Sequence, residues 1–263
     1  MSADEKKPTA DQPTVDLGDA GVESYVGPDA DGQLQVPAGR FAQPEVISVR
    51  KGAFGVLDDG DTTGFGGLVE TFTLPGASPR PYGSWFDEAV DILEELIEGA
   101  RLRVEDVIEK VVVNPTGELI IYVTPAHLPF VASQLRDDQD LRFEMCLGVS
   151  AVNYPGDVGR EFHGLYPFRS FTHRRTIFLA VAVPESNPHI PSIVSIYPSN
   201  DWSEREAWDL MGIVFDGHPS LTRIEMPQDW VGHPQRKDYP LGGIPIEFRG
   251  ATVPPVDTRR SYN

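Results

Sequence analysis

The sequence predicts an α+β fold: a mainly antiparallel sheet with helices packed on one face, a long irregular N-terminal extension and an extended C-terminal tail. Three observations point there. Apolar residues recur at helical spacing over residues 86–100 and 128–135, with two β-type runs and a turn between them. Further strand candidates then follow with no helix to separate them, which favours antiparallel pairing. The chain also holds 25 Gly and 24 Pro in 263 residues with only 40% hydrophobic residues, too little to pack its whole length uniformly.

Residues 1–80 have little periodicity. The first 37 carry few aromatics and scattered acids (Asp11, Asp16, Asp19, Asp29, Asp31), so they cannot bury enough apolar surface to order themselves. Residues 41–79 include Gly64-Phe65-Gly66-Gly67. No apolar strand precedes these glycines and no Gly-Lys-Ser/Thr follows, so a turn-rich surface ribbon is expected rather than a phosphate loop. Phe54, Phe65 and Phe72 are expected to lie along a neighbour, since a free loop gains nothing by exposing them. Three regions result: an acidic Pro/Gly-rich extension over 1–80, an α+β globular domain over 81–200, and a short helix with an extended partner-docking segment over 201–263.

In the globular domain, Ser84 with Asp87 resembles a capping box, and Phe86, Ala89, Val90, Leu93, Leu96, Ile97 and Ala100 form one apolar stripe. Asp87, Glu88, Asp91, Glu94 and Glu95 fall on the other faces and read as a solvated surface. Residues 107–113 and 118–123 form a hairpin across Asn114-Pro115-Thr116-Gly117. Thr124-Pro125 then opens a second helix as N-cap and N1, with Leu128, Val131, Ala132 and Leu135 inward and Pro129 within its first turns. Strands are predicted over 141–152, 161–169, 176–183 and 192–197. Asp201 or Ser203 caps a short helix that turns Ala207, Leu210, Met211 and Val214 to one side and pairs Arg205 with Asp209 at i,i+4. Beyond Gly212, Gly and Pro exclude regular structure, and such a tail orders only against the body or another chain.

Charge narrows the function classes. Twenty-two Lys and Arg against 40 Asp and Glu give a net charge of −18, which excludes a broad nucleic-acid or anionic-membrane surface. The single Cys146 sits in an apolar run and reads as a small buried hydrophobe; one thiol can neither close an internal disulfide nor hold a four-Cys cluster. No stretch approaches the ~20 apolar residues needed to span a bilayer. The first 20 residues are acidic and lack the apolar core of a secretory signal. A soluble, cytoplasmic protein is expected.

Residues 201–241 concentrate the unusual chemistry. They hold Trp202, Trp208 and Trp230, the steps Gly217-His218-Pro219 and Gly232-His233-Pro234, and the run Arg236-Lys237-Asp238-Tyr239-Pro240. Such a mixture suits neither open surface nor an unpaired core, and it suits an interface. A metal on His218 and His233 with Asp216, Asp229 or Asp238 matches no recognised spacing. A triad of Ser203, His218 and Asp229 lacks the Gly-x-Ser-x-Gly elbow. Glu204 and Glu206 stand two apart on a helix and face different ways. What remains is a charge network of Glu204, Arg205, Glu206, Asp209, Arg223, Arg236 and Asp238 that fixes the segment or docks a partner, with the three Trp as buried anchors.

At these residues a family appears. Glu204-Arg205-Glu206-x-x-Asp209-Leu210-x-Gly212-Ile213-x-Phe215-x-Gly217-His218-Pro219, then Arg223-Ile224, then Gly232-His233-Pro234-x-Arg236-Lys237-Asp238-Tyr239-Pro240-Leu241 closely resembles the signature of the C subunit of bacterial NADH-quinone oxidoreductase, respiratory complex I. Leu165-Tyr166, Thr172-His173-Arg174-Arg175 and Ile190-Pro191-Ser192-Ile193 extend the resemblance upstream, so it covers about residues 84–241. Met211, His233 and Gln235 stand where the family more often has other residues. The resemblance implies a peripheral-arm subunit on the cytoplasmic side of the cell membrane that carries no cofactor, while FMN and iron–sulfur clusters sit on other subunits. It implies packing against the quinone-site subunit whose relatives are hydrogenase large subunits, and against the neighbouring iron–sulfur subunit. It implies no catalytic residue here, and a docking or charge-network role for Trp202, Glu204, Arg205, Glu206, Trp208, Asp209, His218, Arg223, Trp230, His233, Arg236, Lys237, Asp238 and Tyr239. Two alternatives are an equivalent subunit of a membrane-bound hydrogenase or other-donor quinone oxidoreductase, and an independent metal-dependent hydrolase.

Overall fold

In the computed structural model, residues 41–52 and 69–239 are described; the expectations for Phe54, Phe65, the glycine cluster at 64–67 and the tail from Pro240 lie outside the described residues. Pro44–Lys51 (β1) and Val69–Pro75 (β2) pair antiparallel, with an irregularity between Val46 and Ser48, so the expected ribbon is regular β structure. Its base is tied to the main sheet. Lys110 Nζ donates to the Pro75 carbonyl at 2.8 Å, and the Ala42 and Ser78 N–H groups donate to the Val113 and Val111 carbonyls at 3.1 and 2.9 Å.

Phe86–Gly99 (α1) buries Phe86, Ala89, Val90, Leu93 and Ile97, the predicted stripe; Leu96 is half-buried, and Ala100 lies exposed just past the end. Each large side chain so buried stabilises the fold by about 1.5–3 kcal/mol. The helix start differs from expectation. Ser84 sits at φ 56 and caps nothing, while Asp87 accepts the Tyr82 and Gly83 N–H groups at 2.9 and 2.7 Å. A charged carboxylate outcompetes a hydroxyl for these donors.

A single turn, Val104–Val107 (α2), leads into Ile108–Val113 (β3), which forms the predicted hairpin with Leu119–Val123 (β4). Thr124 takes the N-cap position with Pro125 following it, as expected, but of a 3-10 turn, and its side chain caps no N–H: the hydroxyl donates to the Asp106 carbonyl at 2.8 Å. A 3-10 turn over Pro125–His127 precedes Leu128–Asp137 (α3), whose inward residues are the four predicted. Pro129 lies in the first turn, where its missing N–H leaves no bond unmade.

The long strand expected over 141–152 is two short ones, Met145–Cys146 (β5) and Ser150–Asn153 (β6). Both pair with Phe162–Ser170 (β7), but Cys146 to Ser150 advances four residues while Phe168 to Leu165 retreats three. The extra residue makes a bulge, with Gly148 at φ 125. Arg175–Val183 (β8) completes a six-stranded sheet in the order β3-β4-β8-β7-β5, with β6 also on β7. All its pairs are antiparallel except β4 with β8. α1 and α3 cover one face, packing on Val111, Val113, Ile121, Leu179 and Tyr166; Val112, Tyr122 and Ala180 gather with Ala42 on the other. Cys146 is fully buried, and burial pushes its thiol up to about 12.

Residues 192–197 are no strand. Tyr197 N–H returns to the Ile193 carbonyl at 2.8 Å, and the neighbouring strand is His189–Pro191 (β9). After a 3-10 turn at Pro198–Asn200 comes Asp201–Met211 (α4), then Val214–Asp216 (β10), parallel to β9. Val214 therefore lies in a strand rather than on the helix face, and regular structure extends past Gly212. Among the described residues, no helix is long and apolar enough to cross a membrane.

Candidate docking segment

Helix α4 organises the segment through two fully buried carboxylates on its inner side, Glu204 and Asp209. Glu204 accepts from the Ser192 hydroxyl at 2.6 Å and from the Ile193 N–H at 3.0 Å. Those two bonds curl residues 192–197 into a turn and override their β-type sequence. Burial raises the Glu204 pKa, and the hydrogen bonds from Ser192 and Ile193 only partly oppose it. A carboxyl with a raised folded-state pKa stabilises fully below the ordinary carboxylate value and loses that contribution as pH rises through the folded value. Glu204→Gln is therefore expected to flatten the decline in melting temperature between pH 4.5 and neutrality relative to the parent chain. Parallel slopes for the two proteins would remove Glu204 as the cause.

Asp209 does more. One oxygen accepts the N–H groups of Ile224, Glu225 and Met226 at 3.0, 2.9 and 2.9 Å, and the other pairs with Arg223. Burial works against the charged form, but the N–H groups of Met226 and Glu225, with Arg223, outweigh it and hold the pKa below the ordinary value. Arg223 also donates to the Trp230 and Gly232 carbonyls at 3.0 and 3.2 Å, with its guanidinium 5.6 Å from the Trp208 ring centre. One ion pair thus gathers two backbone stretches, 224–226 and 230–232, onto α4.

The pair predicted at i,i+4 does not form. Arg205 donates to the Thr222 carbonyl and hydroxyl at 3.1 and 2.9 Å and lies 4.7 Å over the Trp202 ring. Asp209 points inward, where backbone N–H groups from a later stretch satisfy it better than an exposed guanidinium could.

Both Gly-His-Pro steps are structural. The His218 ring accepts from the Ser220 N–H at Nδ1, 3.0 Å, which leaves Nε2 to donate to the Asp201 carbonyl at 3.3 Å. His233 Nδ1 donates to the Asp209 carbonyl at 2.9 Å, and the Gln235 N–H to the Leu210 carbonyl at 3.0 Å. They satisfy carbonyls that the helix end leaves orphaned. Gly212, at φ 83, ends the helix and lets His233 approach: a Cβ there would stand 2.7 Å from the ring. Gly232, at φ 87, gives Tyr239 the same access.

Arg236 is bidentate to Asp238 at 2.9 and 3.0 Å, pairs with Glu185 and lies 5.1 Å from the Phe162 ring centre. The Arg236 hydrogen bond lowers the Asp238 pKa. The Lys237 N–H donates to Asn153 Oδ1 at 2.9 Å while its side chain is exposed. Sequence reasoning missed Asn153 and Thr222, partners that no local pattern marks, and left Ser192, within the upstream stretch of resemblance, outside the charge network.

The three Trp are not equivalent buried anchors. Trp202 is 65% exposed, and Trp208 and Trp230 are half-buried. Glu206 is exposed, as is Val231 at 86%. The Ser203, His218 and Asp229 triad does not assemble: the Ser203 hydroxyl donates to the Asn200 carbonyl and Asp229 is exposed. His218 and His233 are engaged as described, and no group of three or more His, Cys, Asp or Glu is placed to hold a metal among the described residues.

A family model described as "Respiratory-chain NADH dehydrogenase, 30 Kd subunit" matches residues 121–245. The NADH-quinone oxidoreductase C subunit of Mycolicibacterium paratuberculosis (strain ATCC BAA-968 / K-10) is 59% identical over 236 residues, covering 90% of this chain and 99% of its own. That of Mycobacterium tuberculosis (strain ATCC 25618 / H37Rv) is 59% identical over 219 residues, covering 83% and 92%. A solved chain titled "Nqo5 of the trypsin-resistant fragment (1-134)" is 26% identical with a TM-score of 0.40, covering 49% of this chain and 98% of that one. With 59% of the aligned residues identical along nearly the whole of these relatives, the chain belongs to the family of the 30 kDa, or C, subunit of NADH-quinone oxidoreductase, respiratory complex I.

Proposed function

We propose that this subunit carries no redox centre and acts as a docking scaffold of the peripheral arm, packed against the hydrogenase-related quinone-site subunit and the neighbouring iron–sulfur subunit. On this reading FMN and the iron–sulfur clusters are held by other subunits, and the chain reaches the cytoplasmic side of the membrane only through them. The supporting observation is the use made of the buried charges. Asp209, Arg223 and Glu204 bind groups of their own chain and so stiffen a platform. Trp202, Glu206, Val231 and Lys237 face outward from it.

The decisive experiment removes the chain from the purified oxidoreductase. Quinone reductase activity is expected to fall with the loss of the bound quinone-site and iron–sulfur partners. Full activity without the chain would overturn the reading, as would stoichiometric iron or flavin on the folded chain alone. A finer prediction concerns Trp202→Ala. Because the side chain is largely exposed, the melting temperature of the free chain should hardly move. Recovery of the chain in the assembled complex should fall by about 2 kcal/mol of binding, the size of a single hot-spot residue.

A further inference from the structure

The six-stranded sheet has a second face that no helix covers among the described residues. Alternation along β4, β8 and β7 sends Ile121, Leu179 and Phe168 to the helices and Ile120, Phe178 and Pro167 the other way. The register aligns these last three: Ile120 is opposite Phe178 and Phe178 opposite Pro167, and the Leu147 N–H donates to the Pro167 carbonyl at 2.9 Å. The β1–β2 ribbon covers one end of this face, where Ile47 and Leu74 line a pocket with Tyr122 and His163. The other end is left open among the described residues, with Ile120, Phe178 and Pro167 half-buried there. Phe178 belongs to neither buried cluster, and Leu147 is 55% exposed.

A sheet face left to water normally alternates to polar residues. This one stays apolar across three strands and the edge, which is the mark of an interaction surface. Charge indicates what covers it. The patch runs to the β7–β8 turn, where Phe171 is 62% exposed and the only hydrogen bond of the Arg169 guanidinium among the described residues goes to the neutral Thr176 hydroxyl, at 2.6 Å. Arg174, at φ 55, is exposed and has no partner among the described residues. In a chain with 40 acids, two cations left without a carboxylate at the border of an apolar patch are a complementary half. The turn is also held ready: the Phe171 N–H and the Thr172 hydroxyl both donate to Glu144.

We propose that this open end of the sheet face docks a second protein chain of the oxidoreductase, one that presents an apolar ridge bordered by carboxylates to meet Arg169 and Arg174. The proposal rests on membership of a multisubunit complex and uses elements outside the 201–239 segment. A second copy joined through the same face fits less well, because it would add two more cations while Glu118, the acid beside Ile120, is already engaged by Asn114 and Thr116.

Maleimide labelling tests it, since the sole native thiol is buried. Leu147→Cys is labelled in the free full-length chain and in the purified complex, with Val158→Cys, 86% exposed, as the accessible control. Labelling at 147 is expected to be at least about tenfold slower in the complex, because a docked interface excludes solvent, while labelling at 158 is unchanged. Charge reversal by Arg169→Glu with Arg174→Glu should restore accessibility at 147 in whatever complex still assembles. Equal labelling at 147 in both states overturns the surface and leaves membership intact. Protection already present in the free chain, as a monomer or as a dimer, overturns it in favour of this chain covering itself. A chain missing from the purified oxidoreductase overturns the membership beneath it.

Discussion

Asp209→Ala is expected to unfasten residues 222–232 from α4 and to remove the subunit from the assembled oxidoreductase. The substitution deletes the acceptor of three consecutive N–H groups and the partner of Arg223 in a fully buried position. Removing one member of a buried pair costs about 3–5 kcal/mol, mostly because the other charge stays behind unpaired. Against a total stability of about 5–15 kcal/mol, that leaves little margin. The checks are the urea midpoint of the purified chain and the amount of complex on a native gel. Asp209→Asn keeps an acceptor oxygen for the backbone and should recover part of the loss. A midpoint that barely moves in the alanine variant would refute the organising role. Arg205→Ala provides the contrast: its hydrogen bonds go to a neutral, exposed threonine, so its cost should stay near 1 kcal/mol.

Gly212→Val is expected to have the second-largest effect. A β-branched residue at φ 83 is strained by about 1–3 kcal/mol whatever space surrounds it. Here space is also missing, because the new Cβ would stand 2.7 Å from the His233 ring. Pushing that ring away breaks its bond to the Asp209 carbonyl and loosens the bond from Gln235 to Leu210. Limited proteolysis should then cut within residues 230–239, and the melting temperature should drop. Gly117→Val is the matched control, with φ 79 and nothing within 4 Å of its Cβ. Equal losses at the two positions would mean that strain alone acts and that the His233 contact contributes nothing.

Much of the fold is legible because its cause is local. The stripes of α1 and α3 and the Asn114–Gly117 turn depend on residues within a few positions of one another, and the chain forms them as the spacing predicts. The departures share a different cause. Residues 192–197 have a strand's composition, yet Glu204, a later helix residue, captures Ser192 and Ile193. Arg205 and Asp209 have the spacing of an ion pair, but burial turns the carboxylate toward donors fifteen or more residues away. Ser84 has the right offset for a cap and the wrong backbone angle. In the segment, identity was readable and role was not. The signature names the residues, and only burial separates Asp209, Arg223 and His233, which hold the fold, from Trp202, Glu206 and Lys237, which face out.

The bulge at Gly148 has a consequence for the subunit before it meets its partners. A free sheet edge invites pairing with any other strand, and an apolar face beside it would compound the danger. Here the edge is broken: Gly148 interrupts β5 and β6, with Ser203 3.2 Å from where its Cβ would be, and the Ser199 hydroxyl takes up the Cys146 carbonyl at 2.8 Å. On the opposite edge, Ala42 and Ser78 occupy the outer carbonyls of Val113 and Val111. Among the described residues, then, one edge of the sheet is interrupted and the other occupied, which works against templated fibre growth in a newly made chain.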